Sequence, residues 1–197
     1  MSSTSAPYGF RPSYHNSGQM RPKAYTITST YNANIFQGDP VKLTDNGVIQ
    51  LGSSDGTRSG TADGVTLLGI FAGCQYLDAN GKPTISPFWP AGTTGTEIVA
   101  WVYDDPETLF DVQYNNPSSG TTVQTAVGED CDWTIASPGG STQTGLSNTY
   151  LSAIVATSGQ FQITGFAYNI NDSLTDAYVN VTVRINEHTY KAAVNSV

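Results

Sequence analysis

Few residues in this chain are equipped for chemistry. The densest carboxylate group is Asp104-Asp105-Pro106-Glu107, with Asp111 close behind. Such a group can supply oxygen ligands to calcium or the carboxylate pair that glycoside hydrolysis needs. Its spacing matches neither pattern. In the simpler reading, Asp105-Pro106 ends a strand and opens a turn while the acids face water. The two histidines are His15 and His188. Neither has the H-x-x-x-H or H-x-E spacing of a zinc site, and no serine sits in a G-x-S-x-G elbow. Cys131 lies between Asp130 and Asp132, which raise a thiol pKa rather than activate it. Cys74 and Cys131 fit no zinc or C-x-x-C pattern, so they read as two buried thiols or one disulfide. Phe88-Trp89-Pro90, Trp101, Tyr103 and Trp133 would make either a sugar-binding platform or core and loop anchors. The expectation is a protein that is not an enzyme and uses no cofactor or metal.

The elements that must carry these residues read as strands. Asp45-Asn46-Gly47 and Asp78-Ala79-Asn80-Gly81 are hairpin turns, with Gly where positive φ is needed. Residues 40–43 pair with 48–51 across the first turn, and 66–77 with 83–88 across the second. Residues 97–103 are apolar on both faces, as in a buried strand. Phe110, Val112 and Tyr114 share one strand face. Val179, Val181, Val183 and Ile185 alternate with polar residues, the pattern of a half-buried strand. Residues 160–168 read as another strand, and 147–156 as either helix or strand. The polar stretches 52–64, 115–128 and 137–145 read as loops, and Pro87 to Pro90 as a rigid corner. The fold class is therefore all-β: a β-sandwich or barrel-like domain over residues 39–197, preceded by an extended N-terminal arm over residues 1–38.

The composition agrees. Charged residues are 12% of the 197, about half the usual share, and hydroxyl residues, Asn and Gly take their place. The formal net charge is −8, which argues against nucleic-acid binding, because that affinity comes from Lys and Arg neutralising phosphates. No acid precedes Asp39, whereas Arg11, Arg21 and Lys23 all lie in that stretch. Between Lys82 and Arg184 there is no basic residue, only ten acids. The chain is a basic arm on an acidic body. The arm is broken by Pro7, Pro12 and Pro22, yet it carries Tyr8, Phe10, Tyr14, Tyr25, Tyr31 and Phe36. An aromatic load of that size is foreign to disordered tails, so the arm lies on something: its own body or a neighbouring chain. On the second reading Tyr8, Phe10, Arg11, Tyr14, Arg21, Lys23 and Tyr25 are the interface residues, and residues 2–22 can be removed without unfolding the body. The N-terminus lacks a signal-peptide pattern and no apolar run reaches the length of a membrane span, so no membrane partner is expected and a cytoplasmic origin is.

Several stretches carry a resemblance. They are Ala6-Pro7-Tyr8-Gly9-Phe10-Arg11-Pro12, then Tyr14-His15, Gly18 and Arg21-Pro22. Phe36-Gln37-Gly38-Asp39-Pro40-Val41, Gly69-Ile70-Phe71-Ala72-Gly73 and Phe88-Trp89-Pro90-Ala91 follow, then Tyr103-Asp104-Asp105-Pro106 and Ile185-Asn186-Glu187-His188. In this order they resemble small virion structural proteins of tailed, and especially short-tailed, bacteriophages. The resemblance implies a capsid decoration (cement) protein on the outer surface of the phage head. Its partners would be the major capsid protein and other copies of itself, as a homodimer or homotrimer, and it brings no catalytic residues. Alternatives are another virion component, such as a head fibre base, tail or minor capsid protein, or a carbohydrate-binding β-domain.

Overall fold

The computed structural model describes residues 4–53, 56, 58, 65–115, 123–155, 159–167 and 173–191. These form fourteen strands and one 3-10 turn, Val123–Ala126. In chain order the strands are β1 (Arg11–Tyr14), β2 (Lys23–Tyr25), β3 (Ile35–Phe36), β4 (Pro40–Leu43), β5 (Ile49–Leu51), β6 (Gly69–Leu77) and β7 (Pro83–Ser86). They continue as β8 (Phe88–Trp89), β9 (Thr96–Tyr103), β10 (Leu109–Asn115), β11 (Asp130–Gly140), β12 (Ser147–Val155), β13 (Phe161–Phe166) and β14 (Tyr178–Ile185). The protein is all-β, as its turn spacing and alternation require. No described helix is long and apolar enough to cross a membrane.

The strands make two six-stranded sheets and a two-stranded one, β3–β8, and each large sheet curls until it meets itself. In the first, β10, β12, β11, β13 and β14 follow one another, and β14 pairs back onto β10 along the whole of that strand. Tyr114 faces Val179 of β14 on one side and Leu151 of β12 on the other, so the ring is complete at that level. Lower down β12 has left the seam, and β1 takes its place: Arg11 faces Asp111 and Pro12 faces Phe110. Inside this ring lie Phe110, Val112, Leu151, Phe161, Ile163, Val181 and Val183, all fully buried. The strict alternation of β14, buried at every second residue, is what an inside and an outside demand.

The second sheet runs β2, β9, β6, β4, β5, with β7 beside the far half of β6. Just past β2 the chain reaches Ile27, which bridges to Ile49 of β5, and the Ile49 amide donates to the Thr26 carbonyl at 2.9 Å. This ring is thus closed by the arm as well. Its core holds Ile27, Val41, Ile49, Phe71, Ala100 and Val102, with Trp89 of the short β3–β8 ladder as a plug.

Both expected hairpins are present, β4–β5 and β6–β7, with Gly47 and Gly81 each at φ +75°. The ambiguous 147–156 segment is a strand over its described part. The expected loop at 137–145 is corrected: β11 runs through Gly140, and only the residues after it form a turn. Pro138, Gly139 and Gly140 hid this strand from a reading based on propensity. A Cβ at Gly140 would collide with the Phe36 ring, so glycine here serves packing rather than flexibility. The expected loop at 52–64 falls largely outside the described residues; of 115–128, residues 116–122 lie outside them, Asn115 ends β10 and Val123–Ala126 form the 3-10 turn.

Candidate interaction surface

The arm follows the chain's own β9–β10 connection. From Tyr103 the body turns through Asp104 to Thr108 into β10; the arm runs the opposite way, from β1 on β10 to β2 on β9. Two arches therefore lie side by side, one acidic and one basic. Lys23 Nζ stands 3.4 Å from Asp104, and His15 Nε2 stands 3.1 Å from Asp105. Lys191, next to the described C-terminal end, pairs with Glu107 at 2.5 Å and lowers its pKa. Tyr25 donates its hydroxyl to Asp104 at 2.6 Å; burial first, and then that hydrogen bond, push the phenol pKa up. The Asp111 carboxylate accepts from Thr182 at 2.8 Å. The carboxylates that suggested calcium or hydrolysis from their sequence are thus engaged one by one. No group of three or more candidate ligands is gathered for a metal among the described residues.

The proposed interface residues divide into two sets. Phe10 is corrected: it is 1% exposed and stacks on Phe161 at 4.3 Å between centroids, inside the first ring. A ring that size is better satisfied by a core than by a partner. Tyr8 is half-buried and donates to Asn180 at 2.9 Å, with the Arg11 guanidinium 4.5 Å above its ring. Tyr25 is half-buried beneath Lys23. Tyr14, Arg21 and Lys23 remain on the outside; Tyr14 is 55% exposed. They are joined by Met20 and Tyr190, which sequence reasoning passed over. From 16 to 22 every described residue is exposed, and the backbone and Ser17 hydrogen bonds of this linker stay local to it and His15. Arg21 has no ion-pair partner among the described residues.

One grouping at this surface has the outline of a hydrolytic triad. Ser17 Oγ lies 2.7 Å from His15 Nδ1, and His15 Nε2 faces Asp105. Sequence reading could not find it, because Asp105 is 90 residues from His15. Two features set it apart from a working nucleophile. The Ser17 amide also points at Nδ1, at 3.1 Å, which is the geometry of a tight turn. The contacts within the group are also solvent-exposed. Its evident effect is to fasten the linker to the acidic arch.

A second polar cluster joins the two rings. Asp39, fully buried, receives Arg58 at 2.5 Å, the Ser147 hydroxyl at 2.5 Å and the Phe36 amide at 2.7 Å. Burial pushes its pKa up, against the pull of Arg58 and these hydrogen bonds. Arg58 also donates to the Gly139 and Asn34 carbonyls, so a single ion pair links β11, β12 and the β3–β4 turn. Trp89 and Trp133 cannot share a platform, being 0% and 3% exposed and in different cores, and Trp101 on β9 is half-buried. Cys74 and Cys131 are free, one in each core, and burial pushes each thiol up to about 12.

Away from the arch, the β6–β7 hairpin carries the other conspicuous surface. Ile85 is 79% exposed, the most of any large apolar residue among those described. It borders a groove of about 270 Å³ lined by Tyr76, Leu77, Pro83, Thr84 and Glu97. Glu97 is exposed and sits at a bulge between β6 and β9 with φ +50°, a conformation uncommon for a residue with a side chain. Fold and surfaces together define an all-β protein with two arm-closed rings. Comparison with protein families, with characterised proteins and with solved structures found no match.

Proposed function

We propose that this chain is a virion structural protein, a decoration protein that binds the outer surface of a tailed-phage head and braces neighbouring major capsid subunits. The observation that carries the reading is the arm arch. It is an exposed surface presenting Tyr14 and Tyr190 beside the Met20–Arg21 tip, and it is fastened to the body by Lys23 on Asp104 and His15 on Asp105. The stretches that resemble phage virion proteins in their order favour the same reading, as does a net charge of −8, which suits the outside of a shell better than its DNA-filled interior. Binding only to the assembled shell stabilises that shell by mass action, and many such contacts act together. No catalysis is part of this role.

The test is to purify particles of the phage that encodes the chain, count its copies by quantitative mass spectrometry, and locate it with a labelled antibody. Copy numbers comparable with the capsid subunits, and label over the head surface, are expected. A dozen copies or fewer, or label on the tail, would replace decoration with a tail or connector role.

A further inference from the structure

We propose that copies of this chain associate head to tail, the Met20–Arg21 tip of one arm arch entering the Ile85–Glu97 groove of the next copy. Three observations converge on this pairing. The first is charge. Among the described residues Lys23 and Lys191 at the arch each pair with an acid, His15 faces Asp105 and Arg11 lies over the Tyr8 ring, whereas Arg21 has no such contact. At the groove, Glu97 is an exposed carboxylate with no described partner. The second is apolar complementarity. Met20 is 37% and Ile85 is 79% exposed; Met20 precedes Arg21 in the chain, and Ile85 lines the same groove as Glu97. Met is an adaptable filler for an irregular groove, and the groove volume suits one or two side chains rather than a whole ligand.

The third is placement. Lys23 pairs with Val102 at one end of β9, and Glu97 lies at the other end. Five residues of strand separate them by about 17 Å, so one chain cannot bring its own tip to its own groove. Complementary patches at opposite ends of a molecule meet between copies. Such a contact is heterologous, and it closes into a ring or continues as a filament according to the rotation between copies.

Strand addition at the free edge of β7 is the other way this hairpin could recruit a chain, and its sequence opposes it. The Asp78 amide donates to the Lys82 carbonyl at 3.0 Å, so alternation turns Thr84 and Ser86 inward and Pro83, Ile85 and Pro87 outward. Two of those three outward positions are prolines and lack an amide hydrogen. Side-chain docking in the groove is what remains.

The contact extends the functional reading to the chain's own copies but is measured on the free protein, so its failure leaves binding to phage heads untouched. Sedimentation velocity of the purified full chain over a concentration series should show a concentration-dependent oligomer. Arg21→Glu and Glu97→Arg should each weaken it about tenfold or more by setting like charges together. An equimolar mixture of the two variants should restore it, because each tip then faces an opposite charge, and this recovery also shows that both variants fold. Ile85→Ser should weaken the oligomer with no charge change. A wild-type chain that stays monomeric at every concentration overturns the proposal. So does an oligomer that Glu97→Arg leaves unchanged, which would point to a contact that does not use the groove.

Discussion

Phe10 shows how a single side chain decides the standing of a whole segment. Its sequence setting, between Gly9 and Arg11 among prolines, suits a residue offered to a partner; its position is a core position. Phe10→Ala removes a ring stacked on Phe161 and is expected to destabilise the fold by about 3–5 kcal/mol, read as a shift in the urea midpoint. His188 makes a second, pH-dependent prediction. It is 2% exposed, and its Nδ1 accepts from the Tyr190 amide at 3.0 Å. Burial holds its pKa below the usual 6.5, although Asp104 and Asp105 pull the other way. The unfolded chain therefore takes up the proton first as pH falls. The contribution of His188 is complete above pH 6.5, declines as pH drops below that value, and levels off below the folded pKa. Urea unfolding well above and well below pH 6.5 should show a loss in the wild type that is smaller in His188→Gln. An equal loss in both would place the titrating group elsewhere.

Among the elements, those with strong alternation or a glycine-containing turn were legible: β4–β5, β6–β7, β9, β10, β13 and β14. For these, local propensity and tertiary demand agree. The unread elements, β1, β2, β3, β8 and β11, are short or interrupted by proline and glycine. They exist because an edge or a seam needs them. The 109–111 seam of β10 is filled by β1, and the gap between β9 and β5 is spanned by the stretch from β2 to Ile27. Nothing local in Arg11–Tyr14 marks it as a strand. The surface was legible to the same degree. Arm cations and body acids could be seen as complementary, and Tyr14, Arg21 and Lys23 do remain outside. That the partner acids would be Asp104 and Asp105 of the same chain depended on the β9–β10 turn lying under the linker. The pairing of β1 and β2 with the body leads us to expect, against the sequence reading, that residues 2–22 do not behave as a detachable tail. Deleting residues 2–14 opens the first ring and withdraws Phe10 from its core, so the product should unfold at lower urea with a broadened transition, or be insoluble. A truncated chain with the wild-type midpoint would refute this account of ring closure.

Across the whole molecule, two closed rings share a polar joint at Asp39–Arg58 and a basic-on-acidic arch. Closure leaves few free edges among the described strands, which would suit the proposed decoration role, where unplanned pairing with neighbours must be avoided. What remains exposed is specific: the arch tip at one end of β9 and the Ile85 groove at the other. A decoration protein needs a surface for the shell, and it gains from contacts between its own copies, which multiply weak binding. Because arch charges lie at the surface, binding through them should weaken as salt rises, and Tyr14→Ala, which leaves the Met20–Arg21 tip intact, should weaken it at every salt concentration.

The most direct measurement adds the purified chain to expanded phage heads that lack it, pellets the heads, and follows their thermal disruption by calorimetry. The account predicts saturable co-sedimentation in numbers comparable with the capsid subunits and a shell that comes apart at higher temperature when decorated. Heads that pellet without the chain, or that bind it with no change in the temperature of disruption, would contradict it.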